Sequence, residues 1–573
     1  MLCDFINDIK EIYSKIKSGE KPDIESFRTK WNIKGDIGEA YELLHKKEDK
    51  KASGAYYTPC QVVEYMCDEI TDKIDLKKTP HIRILDPACG SGAFLLCLFN
   101  KLFDKAKNAG IKNPGAHILK YNLFGIDMDE NALMITAVEL YLKSGILTDN
   151  LYHEDYLFCK SRKYDIITGN PPYMGHKVLT GEYRKKLYKE FREVFSDKAD
   201  FSYCFIKKSV DLLKKKGELL FFTSRYLLEA ANGKNLREFI KMKCSIRCII
   251  DFYGIRVVKG AGIDNIIIHL IKDGKGNEID FFRLKGSAKE KGTEVFEDIT
   301  SKKSHYTSYV RVKQSSLNKN GWVFLNEIEK SAFDKIKGIE LSAICRSYQG
   351  IITGCDDAFI LDKNKEVNIE SSLLKPWIKS SSISKFNAAP AEELIIYSNL
   401  IDDTDKYPAA MEHISKYRTV LEKRRECLKG LKKWYYLQWE RNMEIFEGRK
   451  IVFPFKSSSN RFAIDTGSYF SADVYALKIR DMFLNSISYE YIASILNSSI
   501  YEFYIKAISK KLGVDLYEYY PNKIMTLKIP LDIKEIEEIS IDDAKAQKNI
   551  DMILISYFGI SLDEYDAIRS WCV

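Results

Sequence analysis

Across residues 1–50 the apolar positions Phe5, Ile9, Ile12 and Ile16 recur at intervals of three and four, which places them on one face of a helix. A Lys/Glu-rich run from Lys46 to Lys51 closes this stretch, and residues 1–52 read as a helical arm packed on the domain that follows. From 53 to 284 the pattern changes. Short apolar runs at Ile82–Leu85, Leu123–Ile126, Tyr164–Thr168, Glu218–Thr223, Ile246–Phe252 and Asn265–Leu270 alternate with longer amphipathic segments. Such alternation predicts an α/β domain built on a mostly parallel sheet covered on both faces.

Residues 285–340 read as a connecting region, with the polar stretch Lys285–Gly292 and a short strand-like segment at Trp322–Leu325. Beyond it the strand–helix rhythm gives way to mixed runs such as Gly350–Asp356, Ile451–Phe455 and Tyr469–Tyr475. Residues 341–573 therefore form a second domain of a different, mixed α+β kind. No repeat with a period of 20–50 residues is present, which disfavours a solenoid.

Length and composition are consistent with this division, since 573 residues exceed one ordinary core. The 13 cysteines include no C-x-x-C pair, the usage of a reducing compartment in which thiols serve as small apolar side chains. The first residues, Met1–Asn7, lack the basic and apolar regions of a secretory leader, and no window holds 18 uncharged apolar residues. Secretion and membrane spanning are not expected. A formal charge of +8, from 89 basic against 81 acidic residues, permits nucleic-acid binding without establishing it.

Chemistry concentrates in the first α/β domain. Ile84–Leu95 reads as strand, glycine-rich turn and helix; Gly90 and Gly92 allow a tight turn and close approach to a ligand. The turn has neither the G-x-G-x-x-G spacing of a dinucleotide loop nor the G-K-[ST] ending of a triphosphate loop. Asp127 ends the next apparent strand, where a carboxylate can accept both hydroxyls of a ribose. Asp129 and Glu130 suit the start of the following helix. Asp155 stands at a third strand end, where it can accept from an exocyclic amine or remain a solvated turn acid. After the apolar run Tyr164–Gly169 comes Asn170-Pro171-Pro172-Tyr173.

Ser53–Pro59, the glycine turn, Asp127, Asp155 and Asn170–Tyr173, in that order, resemble the gamma-type N6-adenine DNA methyltransferases. The resemblance implies a Rossmann-like S-adenosylmethionine-dependent methyltransferase domain followed by a mixed α+β target-recognition domain that holds double-stranded DNA. It implies cofactor contacts from Tyr56, Tyr57, Thr58, Pro59, Asp86, Pro87, Ala88, Gly90, Gly92, Asp127, Met128, Asp155 and Asn170. The amine of adenine is a poor nucleophile because its lone pair is delocalised into the ring. The resemblance assigns the Asn170 side-chain oxygen and the Pro171 carbonyl as acceptors for its hydrogens, while Pro172 stiffens the segment. Tyr173 is expected to stack on an extruded base.

Two features depart from that pattern or compete with it. Where the family places an aromatic on the far side of the base, this chain has Val258, so an aliphatic wall or Tyr253 must substitute. Thr58-Pro59-Cys60-Gln61 resembles the Pro-Cys nucleophile of cytosine-C5 methyltransferases. It precedes the cofactor turn instead of following it, which argues against covalent catalysis by Cys60.

DNA contacts are expected from His176 and Lys177 after the tetrapeptide, with a solvated loop as the alternative. More are expected from the basic cluster Lys423, Arg424, Arg425, Lys432 and Lys433 with Trp434 and Trp439. The resemblance further implies a monomer that methylates one strand of a non-palindromic site without cleavage. It implies no required metal or protein subunit, and a cytoplasmic, nucleoid-associated location in a bacterium. N4-cytosine methylation is the main alternative because it poses the same amine problem; a non-catalytic DNA-binding specificity protein is the other.

Overall fold

The computed structural model describes residues 1–44, 58–160, 162–173, 181–196, 199–257, 262–274, 276–365, 368–539 and 545–572. The chain divides into two compact units, Met1–Phe324 and Leu325–Val573.

The first unit is organised by a nine-stranded sheet. Its strands are β1 (Ile84–Asp86), β2 (Leu123–Asp127), β3 (Leu151–His153), β4 (Tyr164–Gly169) and β5 (Leu213–Ser224), then β6 (Cys244–Asp251), β7 (Asn265–Lys272), β8 (Glu278–Leu284) and β9 (Thr307–Lys313). They lie in the order β3-β2-β1-β4-β5-β7-β6-β8-β9. The first five are parallel, and β7 runs antiparallel to both β5 and β6. Neighbouring residues on a strand point to opposite faces, and here both faces are buried. Leu85, Ile167, Leu219 and Phe221 enter one apolar core, while Ile84, Ile166, Leu220 and Phe222 enter the other. That is why the strands read as unbroken apolar runs.

Strand order reverses between β1 and β4, so the helices after these strands lie on opposite faces and leave a crevice at their carboxyl ends. Asp86, Asp127 and Asn170 all stand at that edge, at or just past the ends of β1, β2 and β4.

The N-terminal helix Leu2–Ser18 buries Phe5, Ile9, Ile12 and Ile16, the four periodic positions. They share a core with Phe27, Ile37 and Tyr41 and with Ala132, Ile135 and Val138 of the helix Glu130–Ser144. The stretch 285–340 differs from a plain connection. Thr307–Lys313 is the edge strand β9, antiparallel to β8. Trp322 and Phe324 form no strand but are buried in the first unit's core, with the Phe324 and Phe281 rings stacked at 4.0 Å. Apolar content at 322–325 thus reflects burial of a segment without regular structure.

The second unit holds a five-stranded sheet in the order Cys345–Gln349, Val474–Ile479, Arg449–Pro454, Ala463–Thr466, Phe386–Asn387. A four-stranded sheet contains Ile360–Asp362, Glu393–Ile396, Leu374–Ile378 and Tyr469–Phe470. The helices Tyr489–Asn497, Ser499–Ile508, Ala546–Phe558 and Leu562–Arg569 complete it. Glu564 in the last of these pairs with Lys335, and Trp571 Nε1 donates to Glu329. No described helix is long and apolar enough to cross a membrane.

Candidate functional site

The glycine turn leaves β1 with Gly90 and Gly92 both at positive φ, 50° and 94°. A Cβ on Gly92 would lie 2.8 Å from the Thr136 hydroxyl, and that hydroxyl donates to the Gly90 carbonyl at 2.9 Å. The helix Glu130–Ser144 is therefore tied directly to the turn. Beside Gly90 the space is open among the described residues, with none of their atoms beyond its chain neighbours within 4 Å of where a Cβ would project. Its N–H instead donates to Asp127 Oδ2 at 2.7 Å, while Asp127 Oδ1 accepts from the Asp129 N–H at 2.9 Å. Burial raises the Asp127 pKa, and these N–H groups oppose the shift.

Asp86 is buried at the end of β1 and accepts from the Ala88 N–H at 3.1 Å. Burial pushes its pKa up to about 8, with the neighbouring Asp127 carboxylate adding to the rise. Gly169, the last residue of β4, has φ of 148°, and a Cβ there would sit 2.4 Å from Asp86 Oδ1. Only glycine lets β1 and β4 close to this distance at the crevice. Pro87 is buried, Ala88 half-buried, and Met128 exposed at the rim.

The N-terminal arm braces the same turn. A Cβ at Gly38 would fall 2.7 Å from Ser91 Oγ, and Tyr41 donates to Asp129 Oδ2 at 2.7 Å. Asp129 meanwhile caps Glu130–Ser144 through Oδ1, accepting from Asn131 and Ala132. At the third strand end Asp155 accepts from the Leu157 N–H at 3.1 Å and the Tyr183 hydroxyl at 2.9 Å.

Asn170 follows β4. Its Nδ2 donates to Thr58 Oγ1 at 2.9 Å, across 112 positions of sequence. Its Oδ1 accepts from the Tyr173 hydroxyl, which also donates to the Phe222 carbonyl at 3.2 Å. Tyr173 is only 4% exposed, and burial drives its pKa well up. Its ring is turned inward here, not laid open as a stacking platform. Pro171 is buried and Pro172 half-buried. Cys60 begins the helix Cys60–Thr71, exposed.

Tyr253 stands after β6 with φ of 47°, its N–H bonded to Asp251 Oδ1 at 2.8 Å. The guanidinium groups of Arg225 and Arg283 lie 5.3 and 4.7 Å from its ring centroid. Arg225 is itself held by Asp251 at 2.8 Å and by Glu229 at 2.5 Å. Tyr56, Tyr57, His176, Lys177 and Val258 lie outside the described residues.

In the second unit the basic cluster separates into distinct roles. Arg424 is buried rather than a surface phosphate contact; it donates to the carbonyls of Leu421, Thr353, Trp434 and Tyr436 at 3.0, 3.1, 2.6 and 2.8 Å. Such an arginine closes a loop because its guanidinium satisfies several carbonyls at once. Lys432 pairs with Glu440 and lies 5.3 Å from the Trp439 ring, and Trp439 is 44% exposed. Lys433 lies over Tyr435 and Tyr436. Trp434 is half-buried, with the Arg418 guanidinium 5.0 Å from its ring. Lys423 and Arg425 are exposed.

Residues 121–257 match the Eco57I restriction-modification methylase family, and residues 365–530 match the TaqI-like C-terminal specificity domain. The chain has the fold of S-adenosylmethionine-dependent methyltransferases, followed by a TaqI-like specificity domain. It is similar to the Type II methyltransferase M.BstVI of Geobacillus stearothermophilus, 22% identical over 570 residues covering 90% of this chain and 98% of the relative. M.HindII of Haemophilus influenzae is 26% identical over 485 residues, 79% of this chain and 84% of the relative. Among solved structures, the Type IIL restriction-modification enzyme MmeI in complex with DNA shares the fold. Its TM-score is 0.64 at 13% identity, covering 94% of this chain and 82% of that one.

The crevice fits the cofactor that this fold implies. Open space beside Gly90 admits a ligand against the backbone. Asp127 accepts backbone N–H groups through both oxygens, and a carboxylate has about four acceptor sites, enough to take the two hydroxyls of a ribose as well. Among the described residues no group of three or more His, Cys, Asp or Glu side chains is arranged to hold a metal.

Sequence reasoning missed how the site is braced. Thr58 was expected at the cofactor, yet it also fixes the Asn170 amide. Gly38, Tyr41, Gly169 and Tyr183 carried no motif, because each acts through a contact with a residue distant in sequence.

Proposed function

We propose that this chain transfers a methyl group from S-adenosylmethionine to adenine N6 in double-stranded DNA, without cleavage, on one strand of a non-palindromic site. The observation that carries the reading is the Asn170 amide, anchored by Thr58 just beyond the switch-point crevice, with its oxygen turned toward a hydrogen-bond donor.

S-adenosylmethionine would supply the electrophilic methyl group when bound. Gly90 and Gly92 would let the backbone approach it, with Asp127 accepting from its ribose and Asp155 standing near its base. Asn170 Oδ1 and the Pro171 carbonyl would accept the two amine hydrogens, favouring the pyramidal nitrogen that has an available lone pair. The Tyr173 hydroxyl holds the Asn170 oxygen that a target amine needs. Base entry would therefore exchange one donor for the other and free the Tyr173 ring to stack on an extruded base. Tyr253, with the Arg225 and Arg283 guanidiniums near its ring, would form the pocket's second wall in place of the aromatic that Val258 replaces.

Adenine as target is supported by the Asn-Pro-Pro-Tyr sequence and its order after the cofactor motifs. Segments such as Tyr173–Lys177, Ser471–Tyr475 and Tyr519–Lys523 also resemble CamA, the solitary clostridial DNA adenine methyltransferase. That likeness favours a monomer acting in the bacterial cytoplasm at the nucleoid, marking DNA for epigenetic regulation or self-recognition. The TaqI-like match at 365–530 favours DNA as the partner.

Single-molecule methylation sequencing of bacterial DNA treated with the purified protein and S-adenosylmethionine tests base, strand and site together. N6-methyladenine within one recurrent site is expected, and Asn170→Ala should abolish it while still binding cofactor. Exclusive N4-methylcytosine would overturn the adenine assignment.

A further inference from the structure

Exposed aliphatic residues stand out within the basic segment of the second unit. Leu428 is 74% and Leu431 72% exposed, although leucine side chains normally leave water. They flank a sharp turn closing the short helix Arg425–Leu428. The Gly430 N–H bonds to the Cys427 carbonyl at 2.9 Å, the Leu431 N–H reaches back to the Glu426 carbonyl at 2.9 Å, and Gly430 has φ of 67°. At Gly430 no atom of the described residues, its chain neighbours aside, lies within 4 Å of a Cβ position, so the turn projects away from them.

The tip is nonetheless fixed from below. The Leu428 N–H bonds to the Arg424 carbonyl at 3.0 Å, and the Arg424 side chain is buried against four backbone carbonyls. A rigid base holding exposed apolar side chains differs from a loose surface loop, because little ordering entropy remains to oppose insertion. The shoulders are cationic: Lys423, Arg425, Lys429 and Lys433 are exposed, whereas Glu426 is the single acid between 423 and 433.

We propose that Leu428 and Leu431 form an apolar wedge that enters a groove of duplex DNA, while the surrounding lysines and arginine contact the phosphates on either side. An aliphatic tip between basic shoulders matches a polyanion whose base stack is apolar and whose rim is charged. A protein or lipid partner would use the leucines but gain less from four cations around them. This inference rests on DNA being the substrate.

The test uses the full chain and a labelled duplex of about 30 base pairs carrying the site found by methylation sequencing, with a stacking-sensitive fluorescent base within it. The L428A/L431A variant should bind at least about tenfold more weakly at every salt concentration with an unchanged salt slope. Fluorescence enhancement on binding, read from that base placed away from the target base and its neighbours, should be lost as well. K429A should instead lower the salt slope by about one. Thermal melting of L428A/L431A should match the parent, since both side chains are exposed.

Equal affinity and equal fluorescence for L428A/L431A would overturn the wedge while leaving the DNA reading intact. Failure of the parent chain to bind or methylate any duplex would overturn the DNA reading itself. Loss of self-association in L428A/L431A, read by sedimentation with DNA binding unchanged, would reassign the tip to a second copy of the chain.

Discussion

Replacing Thr58 with valine tests whether this residue positions the Asn170 amide for the proposed reaction. The substitution keeps the branched shape but removes Oγ1, the acceptor 2.9 Å from Asn170 Nδ2. Thr58 is 5% exposed and Asn170 only partly exposed, so water is a poor replacement partner. A polar group left in that position costs about 1–3 kcal/mol, and the amide then rotates to recover a partner. If the whole cost falls on the transition state, turnover drops by about five- to 150-fold. The assay is single-turnover methylation at saturating cofactor, alongside calorimetric titration of S-adenosylmethionine. Thr58→Val should lower the chemical rate within that range, with a smaller change in cofactor affinity, and Thr58→Ser should restore most of it. An unchanged rate refutes the positioning role. A fall in affinity that accounts for the entire loss would place Thr58 at the cofactor alone.

Asp86→Asn probes the buried acid. A carboxyl whose folded pKa lies near 8 rather than 3.8 stabilises the fold below about pH 4 and loses that contribution as pH rises toward 8. The variant should therefore flatten the fall in melting temperature across pH 4–8, and a parallel fall in both proteins would refute the assignment. Gly169→Ala forces a Cβ to 2.4 Å from Asp86 Oδ1 at φ of 148°, so a loss of at least about 1–3 kcal/mol is expected in denaturant unfolding. Asp86→Ala in the same chain should recover part of it; no recovery would mean that the contact is not the source. Arg424→Ala should destabilise the second unit by about 3–5 kcal/mol through its unpaired carbonyls. Lys423→Ala should alter the salt dependence of DNA binding with little effect on unfolding, and the reverse pattern would return Arg424 to the surface.

Much of the first unit was readable because its signals are local. The helix carrying Phe5, Ile9, Ile12 and Ile16 needs only a 3.6-residue period, and β1, β4 and β7 need only apolar runs bounded by turns. The positive-φ glycine turn after β1 was legible for the same reason, since adjacent residues build it. The segment 285–340 differs from a plain connection because β9 lies at a sheet edge with most of its residues half-buried and Arg311 and Lys313 exposed, where few apolar positions are required. At 322–325 the reverse held, and apolar side chains were buried without any strand.

The sequence by itself determined which residue types stand together: two glycines after an apolar run, an acid at the end of the next, an amide followed by two prolines. Tertiary structure alone decided how those residues are held and which are free to act. Thr58 meets Asn170, Gly38 meets Ser91 and Gly169 meets Asp86 only because chain reversal brings distant segments within van der Waals or hydrogen-bond distance. The basic cluster shows the same limit, since charge is written in the sequence but solvent exposure is not. Folding buries Arg424 as a loop anchor and leaves Leu428 and Leu431 at the surface, the opposite of what their side chains alone would predict.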